Sequence, residues 1–147
     1  MKSVRSIIGL PVLVVSRVVG HVTDVDIDLS KKLFTGIYLT AMPFGVRRID
    51  AENIEIIGDV SVIASDAGKL SLPPPKKAIP AVMADGRRIG QITGALIDEA
   101  TRRVEAVELS EGVWEDLAYA RRWIFSFAAE SSTCGVLINP EGGNDHE

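Results

Sequence analysis

The chain states one stretch twice. Val19 to Thr40 (VGHVTDVDIDLSKKLFTGIYLT) and Ile89 to Ser110 (IGQITGALIDEATRRVEAVELS) align without a gap. Gly20, Thr23, Ile27, Asp28 and Leu39 recur as Gly90, Thr93, Ile97, Asp98 and Leu109. Lys32, Phe34 and Ile37 recur in kind as Arg102, Val104 and Val107. A repeat of this length implies two copies of one small module. The whole chain has 147 residues. A 60-residue module buries only about 60% of its extended-chain surface, against roughly 68–70% for a body of 150 residues. Two modules that are marginal alone are expected to dock on each other or on another chain, a second copy of this one included.

Within each copy the pattern is one of short strands. Ile7 to Val15 is apolar and β-branched, which predicts a strand buried on both faces. Its counterpart is Ala78 to Ala84, followed by Asp85-Gly86, a tight-hairpin signal that the first copy replaces with Ser16-Arg17. Gly20 and Gly90 stand inside strand patterns, where glycine marks a bulge or a close backbone approach. Strict alternation from Gly20 onward places Thr23, Val25, Ile27 and Leu29 on one face, and Val22, Asp24, Asp26 and Asp28 on the other. Asp28 and Asp98 suit turn openings, since their side chains can bond the backbone two residues on. Phe34 to Thr40 and Val104 to Ser110 then return as strands.

Beyond the shared core the copies diverge. The first runs through Val46 to Ile49, a turn at Asp50 to Asn53, and one strand from Ile54 to Ala64 kinked at Gly58-Asp59. The second has helical spacing at Val113, Leu117 and Ala120, which predicts a two-turn helix over Val113–Tyr119. Arg122 to Phe127 and Cys134 to Ile138 are its expected closing strands. The fold class expected is all-β, two tandem small barrels with one short helix in the second. The first barrel spans residues 1–66 and the second 78–139. A spacer over 67–77 is stiffened by Pro73-Pro74-Pro75, and a loose tail follows from 140 to 147.

Composition narrows the function classes. The formal charge is −4, which argues against broad attraction to nucleic acid or anionic lipid and leaves nucleic acid the weaker partner class. Cys134 is the single cysteine, so no internal disulfide forms, and a reducing, cytoplasmic compartment is expected. No run approaches the ~20 apolar residues of a membrane helix, so no membrane insertion is expected. Pro11 and Arg17 interrupt the apolar amino terminus, and no small-x-small site closes it as a leader.

The chemistry-bearing residues do not assemble into a catalytic set. Asp24, Asp26 and Asp28 resemble the opening of a calcium loop, but Leu29 occupies the position that needs glycine, and solvated strand carboxylates fit better. One cysteine with only His21 and His146 supplies neither a zinc ligand set nor a thiol nucleophile with its base. Asp66 to Lys69 lacks the glycine and hydroxyl residue of a phosphate loop. No cofactor is expected, and the chain reads as a non-enzyme. Basic residues come as doublets: Lys31-Lys32, Arg47-Arg48, Lys76-Lys77, Arg87-Arg88, Arg102-Arg103 and Arg121-Arg122. Arg47, Arg48, Arg87, Arg102 and Arg121 are the candidate basic rim, able to grip phosphates if they meet in space. Solvated turn ends are the plainer reading. Trp114, Tyr119, Leu96 and Tyr38 are the candidate interface, because aromatic and large apolar side chains dominate contact energetics.

The runs IIGLPV, GHVTDVDID and FGVRRIDAENIEIIGDVSVI resemble the PRC-barrel family, and GRRIGQITGALIDE with EDLAYARRW carries the likeness into the second copy. The resemblance covers Val4 to about Ala64 and, less cleanly, Ile79 to about Ile138. It implies a small, strongly bent barrel of six or nearly six strands. Characterised members hold other macromolecules, a photosynthetic reaction centre in one case and a ribosomal protein in the ribosome maturation factor RimM in another. The function expected is therefore a protein-binding or scaffolding module whose edge strands and Val113–Tyr119 element make the contacts. The alternative is an RNA-linked or ribosome-assembly accessory resembling the RimM barrel, a fold-level analogy.

Overall fold

The computed structural model describes residues 1–40, 45–74, 79–83, 87–111, 120–130 and 135–138. The chain opens with β1 (Lys2–Ser3) and one helical turn, α1 (Val4–Ile7). The first sheet then takes β2 (Pro11–Val14), β3 (Arg17–Asp28), β4 (Leu33–Thr40), β5 (Val46–Asp50), β6 (Ile54–Ile57), β7 (Val62–Ala64) and β8 (Lys69–Ser71). The second takes β9 (Ile79–Val82), β10 (Arg88–Ile97), β11 (Val104–Glu111), β12 (Ala120–Ile124), β13 (Phe127–Glu130) and β14 (Gly135–Ile138). The protein is mostly β.

The two sheets have one topology. Spatial order in the first is β6-β7-β2-β3-β4-β5-β8 and in the second β13-β14-β9-β10-β11-β12. Each copy therefore has the same six-strand order, and in each the strand that begins the copy runs parallel to the one that ends it. The irregularities also repeat. Bulges leave Val19, Thr23 and Thr35 without a direct partner in the first ladder, and Ile89, Thr93 and Glu105 in the second. A bulge bends its strand and increases local twist, so three at equivalent sites curl both sheets alike.

Gly20 and Gly90 explain one of these bends. A Cβ on Gly20 would strike the carbonyl oxygen of Thr40 and come within 2.9 Å of Leu39 Cδ1. On Gly90 it would strike the carbonyl oxygen of Ser110 and come within 3.0 Å of Leu109 Cδ1. Close approach of the neighbouring strand, rather than backbone conformation, requires glycine at both places.

Several expectations are corrected. Ile7 to Val15 is not one buried strand: Ile7 ends α1, Ile8 is exposed, and the strand itself is confined to Pro11–Val14. The hairpin turn is Val15-Ser16, not Ser16-Arg17. Both turn residues have positive φ (49° and 64°), and Val15 is 85% exposed. That backbone suits a two-residue hairpin but is strained for a β-branched residue. Ile54 to Ala64 is an antiparallel hairpin, because the Gly58 N–H turns back to the Ser61 carbonyl. Arg122 to Phe127 divides at Phe125-Ser126 into β12 and β13. The bulge at Thr23 breaks strict alternation, so Val22 and Val25 both face the first core while Thr23 is exposed. The stretch read as a spacer begins with a true strand, β8, paired to β5. The helix expected at Val113–Tyr119, the Asp85-Gly86 turn and the tail lie outside the described residues.

The halves share their interior. The first core gathers Ile7, Val12, Val22, Phe34, Ile37, Leu39, Ile49, Ile54 and Val62, and it also takes Ile97 from the second copy. Ile27, the repeat equivalent of Ile97, packs against both cores, and Leu29 against the second. Full burial of an isoleucine contributes about 1.5–3 kcal/mol. This exchange gives each small core material it lacks alone.

Candidate binding cleft between the two halves

The Asp28 and Asp98 turns are built alike and meet. Asp28 Oδ1 accepts from Ser30 Oγ (2.6 Å) and the Lys31 N–H (3.2 Å), and those bonds hold its carboxyl below the ordinary aspartate pKa. Asp98 Oδ1 accepts from the Thr101 and Ala100 N–H groups (3.0 and 2.9 Å), with the same effect. Each turn ends in a basic residue of positive φ, Lys32 at 54° and Arg102 at 63°. Their carbonyls bond reciprocally across the chain: Phe34 N–H donates to Arg102 O and Val104 N–H to Lys32 O, both at 2.8 Å.

The two basic side chains cross over as well. Arg102 Nη2 donates to the carbonyls of Ile54 (2.9 Å) and Glu55 (3.3 Å) on β6. Lys32 Nζ lies 4.4 Å from the ring centre of Phe127, at the start of β13, the strand equivalent to β6. The contact between halves is thus an approximate two-fold exchange within one chain. Burial lowers the Arg102 pKa from its ordinary value, yet a guanidinium stays charged at neutral pH.

The amino terminus fastens the same junction. β1 pairs with the end of β10, Lys2 opposite Ile97 and Ser3 opposite Leu96. Lys2 Nζ forms an ion pair with Asp59, and the terminal ammonium lies 3.3 Å from Glu99 Oε2. Arg5 Nη2 reaches Glu108 Oε1 at 2.6 Å, and Thr93 Oγ1 donates to the same oxygen at 2.8 Å. Glu108 is the buried charged residue among the described residues, and these two bonds compensate its desolvation.

Beside this junction a cleft of about 370 Å³ opens between β3 and β10. Val25, Ile27, Ile79 and Ile92 supply its aliphatic walls, while Asp24, Asp26, Tyr38 and Thr93 edge it and Pro74 closes one side. Asp26 Oδ2 accepts from Arg48 Nη2 at 2.8 Å. Asp24 Oδ1 accepts from the Val25 N–H at 2.8 Å, and no Lys or Arg pairs with Asp24 among the described residues.

The expected site residues distribute unevenly. Tyr38 lines the cleft, whereas Leu96 is half-buried and pairs with Ser3 of β1. Trp114 and Tyr119 lie outside the described residues, as does Cys134. Of the candidate basic rim, Arg48 is held by Asp26, Asp50 and the Thr35 carbonyl, Arg47 donates to the Gly68 carbonyl, and Arg102 crosses to β6. Arg121 stands in β12 opposite Ser110, and Arg87 is exposed just before β10. Sequence reading missed Arg5 and Glu108. Glu108 alternates with the core residues Val107 and Leu109 along β11, so the strand pattern places it on the outer face and nothing in the sequence marks its burial there.

A smaller polar depression of about 270 Å³ lies beside β8, lined by Arg48, Asp50, Asn53, Asp66 and Lys69 among others. No group of three or more metal-ligating side chains occurs among the described residues, and no helix there is long and apolar enough to cross a membrane. Comparison of the chain with protein-family models and with curated proteins finds no match.

Proposed function

We propose that this is a tandem PRC-type barrel protein that holds another protein and performs no catalysis. The observation that best supports this reading is the cleft between the halves, with aliphatic walls and a polar rim along the edge of β3. The polar groups around it are engaged in building the protein: Asp26 with Arg48, and Thr93 with Glu108. Aliphatic walls with an aromatic ring and polar groups at the rim suit contact with another protein. A cytoplasmic location belongs to the same proposal and rests on the single cysteine. The RNA-linked alternative has less to draw on, because Arg48 Nη1 and Nη2 and Arg102 Nε and Nη2 donate to internal carboxylates and carbonyls, and Arg102 Nη1 is buried. The test places a photo-cross-linking phenylalanine at Tyr38 in the full chain, with a control at exposed Glu52. A discrete protein adduct from position 38, whose purified partner binds saturably, is the expected result. No adduct at position 38, together with turnover of a small substrate, would overturn the reading.

A further inference from the structure

The repeat exposes one asymmetry. On β10, β9 pairs with Arg88 to Ile92, and β1 pairs farther along the same strand at Leu96 and Ile97. On β3, β2 pairs with Arg17 to His21, and Leu10 and Gly9 bond Val22. From Asp24 to Ile27 no strand lies on that side among the described residues. The segment equivalent to β1 in the second copy is the one leading into β9. There Ser71 is taken into β8, and Pro73 and Pro74 have no N–H with which to continue a ladder. Pro74 instead walls the cleft that opens along this stretch of β3. The edge is closed locally by its own side chain, since the Val25 N–H donates to Asp24.

We infer that this stretch of β3 takes up a short extended basic peptide from a partner protein, paired antiparallel as β1 is paired to β10. The inference rests on the protein-binding reading and names the partner's chemistry. The shape comes from the repeat, because the equivalent edge is occupied by the extended Lys2–Ser3. The charge comes from Asp24 on the rim of the cleft, which has no cationic partner among the described residues, whereas Asp26 beside it is already paired with Arg48. Main-chain pairing supplies affinity in such strand addition, and pockets for alternate side chains supply specificity. The aliphatic walls of Ile79 and Ile92 give an apolar side chain a place beside the basic ones.

The test titrates the isotope-labelled full chain with the hexapeptide Met-Lys-Ser-Val-Arg-Ser, the chain's own first six residues. An acidic version with Glu at the two basic places is the control, as is a version N-methylated in mid-peptide to remove an N–H. Saturable amide shifts confined to Asp24–Ile27 and the facing residues of β10 are expected. The acidic and N-methylated peptides should bind at least about tenfold more weakly. Asp24→Asn keeps the acceptor for the Val25 N–H and removes the charge, and should weaken binding about two- to fivefold. Equal binding of the three peptides, or shifts centred elsewhere, would overturn the inference. A partner cross-linked at Tyr38 while the basic peptide fails to bind would overturn it alone and leave the protein-binding reading standing.

Discussion

Gly20→Ala and Gly90→Ala should damage the protein equally, and Gly94→Ala should not. At Gly20 the new methyl meets the Thr40 carbonyl oxygen and sits 2.9 Å from Leu39 Cδ1; at Gly90 it meets the Ser110 carbonyl oxygen and sits 3.0 Å from Leu109 Cδ1. Neither backbone carbonyl is free to withdraw, because β4 and β11 are held on both sides by ladders. Inserting a methyl this close to a fixed backbone oxygen costs about 2–3 kcal/mol, the upper part of the usual range. The lower unfolded-state entropy of alanine returns roughly 0.5–1 kcal/mol, leaving a net loss of about 1–2.5 kcal/mol. For a body of this size that lowers Tm by roughly 2–10 °C. At Gly94 the nearest atom is Glu108 Oε1 at 3.5 Å, an ordinary contact, so only the entropy gain of roughly 0.5–1 kcal/mol remains and Tm should rise by about 1–4 °C. Thermal unfolding followed by far-ultraviolet circular dichroism measures all three. Losses at Gly20 and Gly90 that differ by more than the spread expected of one mechanism would refute the equivalence of the two bends, as would a Gly94→Ala loss of the same size.

Four further outcomes follow from named contacts. Arg102→Ala removes two charge-assisted bonds to β6 carbonyls and should cost about 1.5–3 kcal/mol in denaturant titration. Lys32→Ala removes only a cation–ring contact and should cost under about 1 kcal/mol. Asp28, Asp98 and Glu99 have folded pKa values below their ordinary ones, Glu99 chiefly through its own backbone N–H. Their stabilisation is complete above the unfolded values near about pH 4 and is lost as pH falls through the lower folded values. Acid unfolding of Asp98→Asn should therefore depend less on pH below about 4. Val15→Asn with Ser16→Gly relieves two positive-φ residues at the hairpin tip and should raise stability by about 1–2 kcal/mol, measured by urea unfolding.

How much of this was legible in the residues differs by kind of information. The paired glycines, the Asp28 and Asp98 turns and the shared strand order follow from local chemistry that recurs at equivalent places, so reading the two copies against each other revealed them. The Val22–Asp24 phase change did not, because a bulge inserts a residue without altering the apolar pattern that periodicity detects. The hairpin at Gly58 to Ser61 was hidden because an apolar run on either side of Gly58-Asp59 reads equally as one bent strand. Contacts between the halves were the least legible. Arg102 appears in the sequence as one of many surface doublets, and only the folded chain shows it reaching Ile54 and Glu55. Ile97 likewise carries no mark that it belongs to the other copy's core. Of the candidate interface, Tyr38 lines the cleft and Leu96 pairs with Ser3 of β1.

By exchanging Ile97, Ile27, Arg102 and Lys32 across an approximate two-fold relation, the two copies should unfold as one cooperative body. Scanning calorimetry of the full chain and of Ile97→Ala measures this. The intact protein should unfold in one transition of on the order of 100 kcal/mol, its calorimetric and van't Hoff enthalpies equal. Ile97→Ala should lower that single transition by about 2–5 kcal/mol in stability, although the residue belongs by sequence to the second copy and by packing to the first. Two separable transitions in the intact chain, or a first half whose midpoint ignores Ile97→Ala, would contradict it.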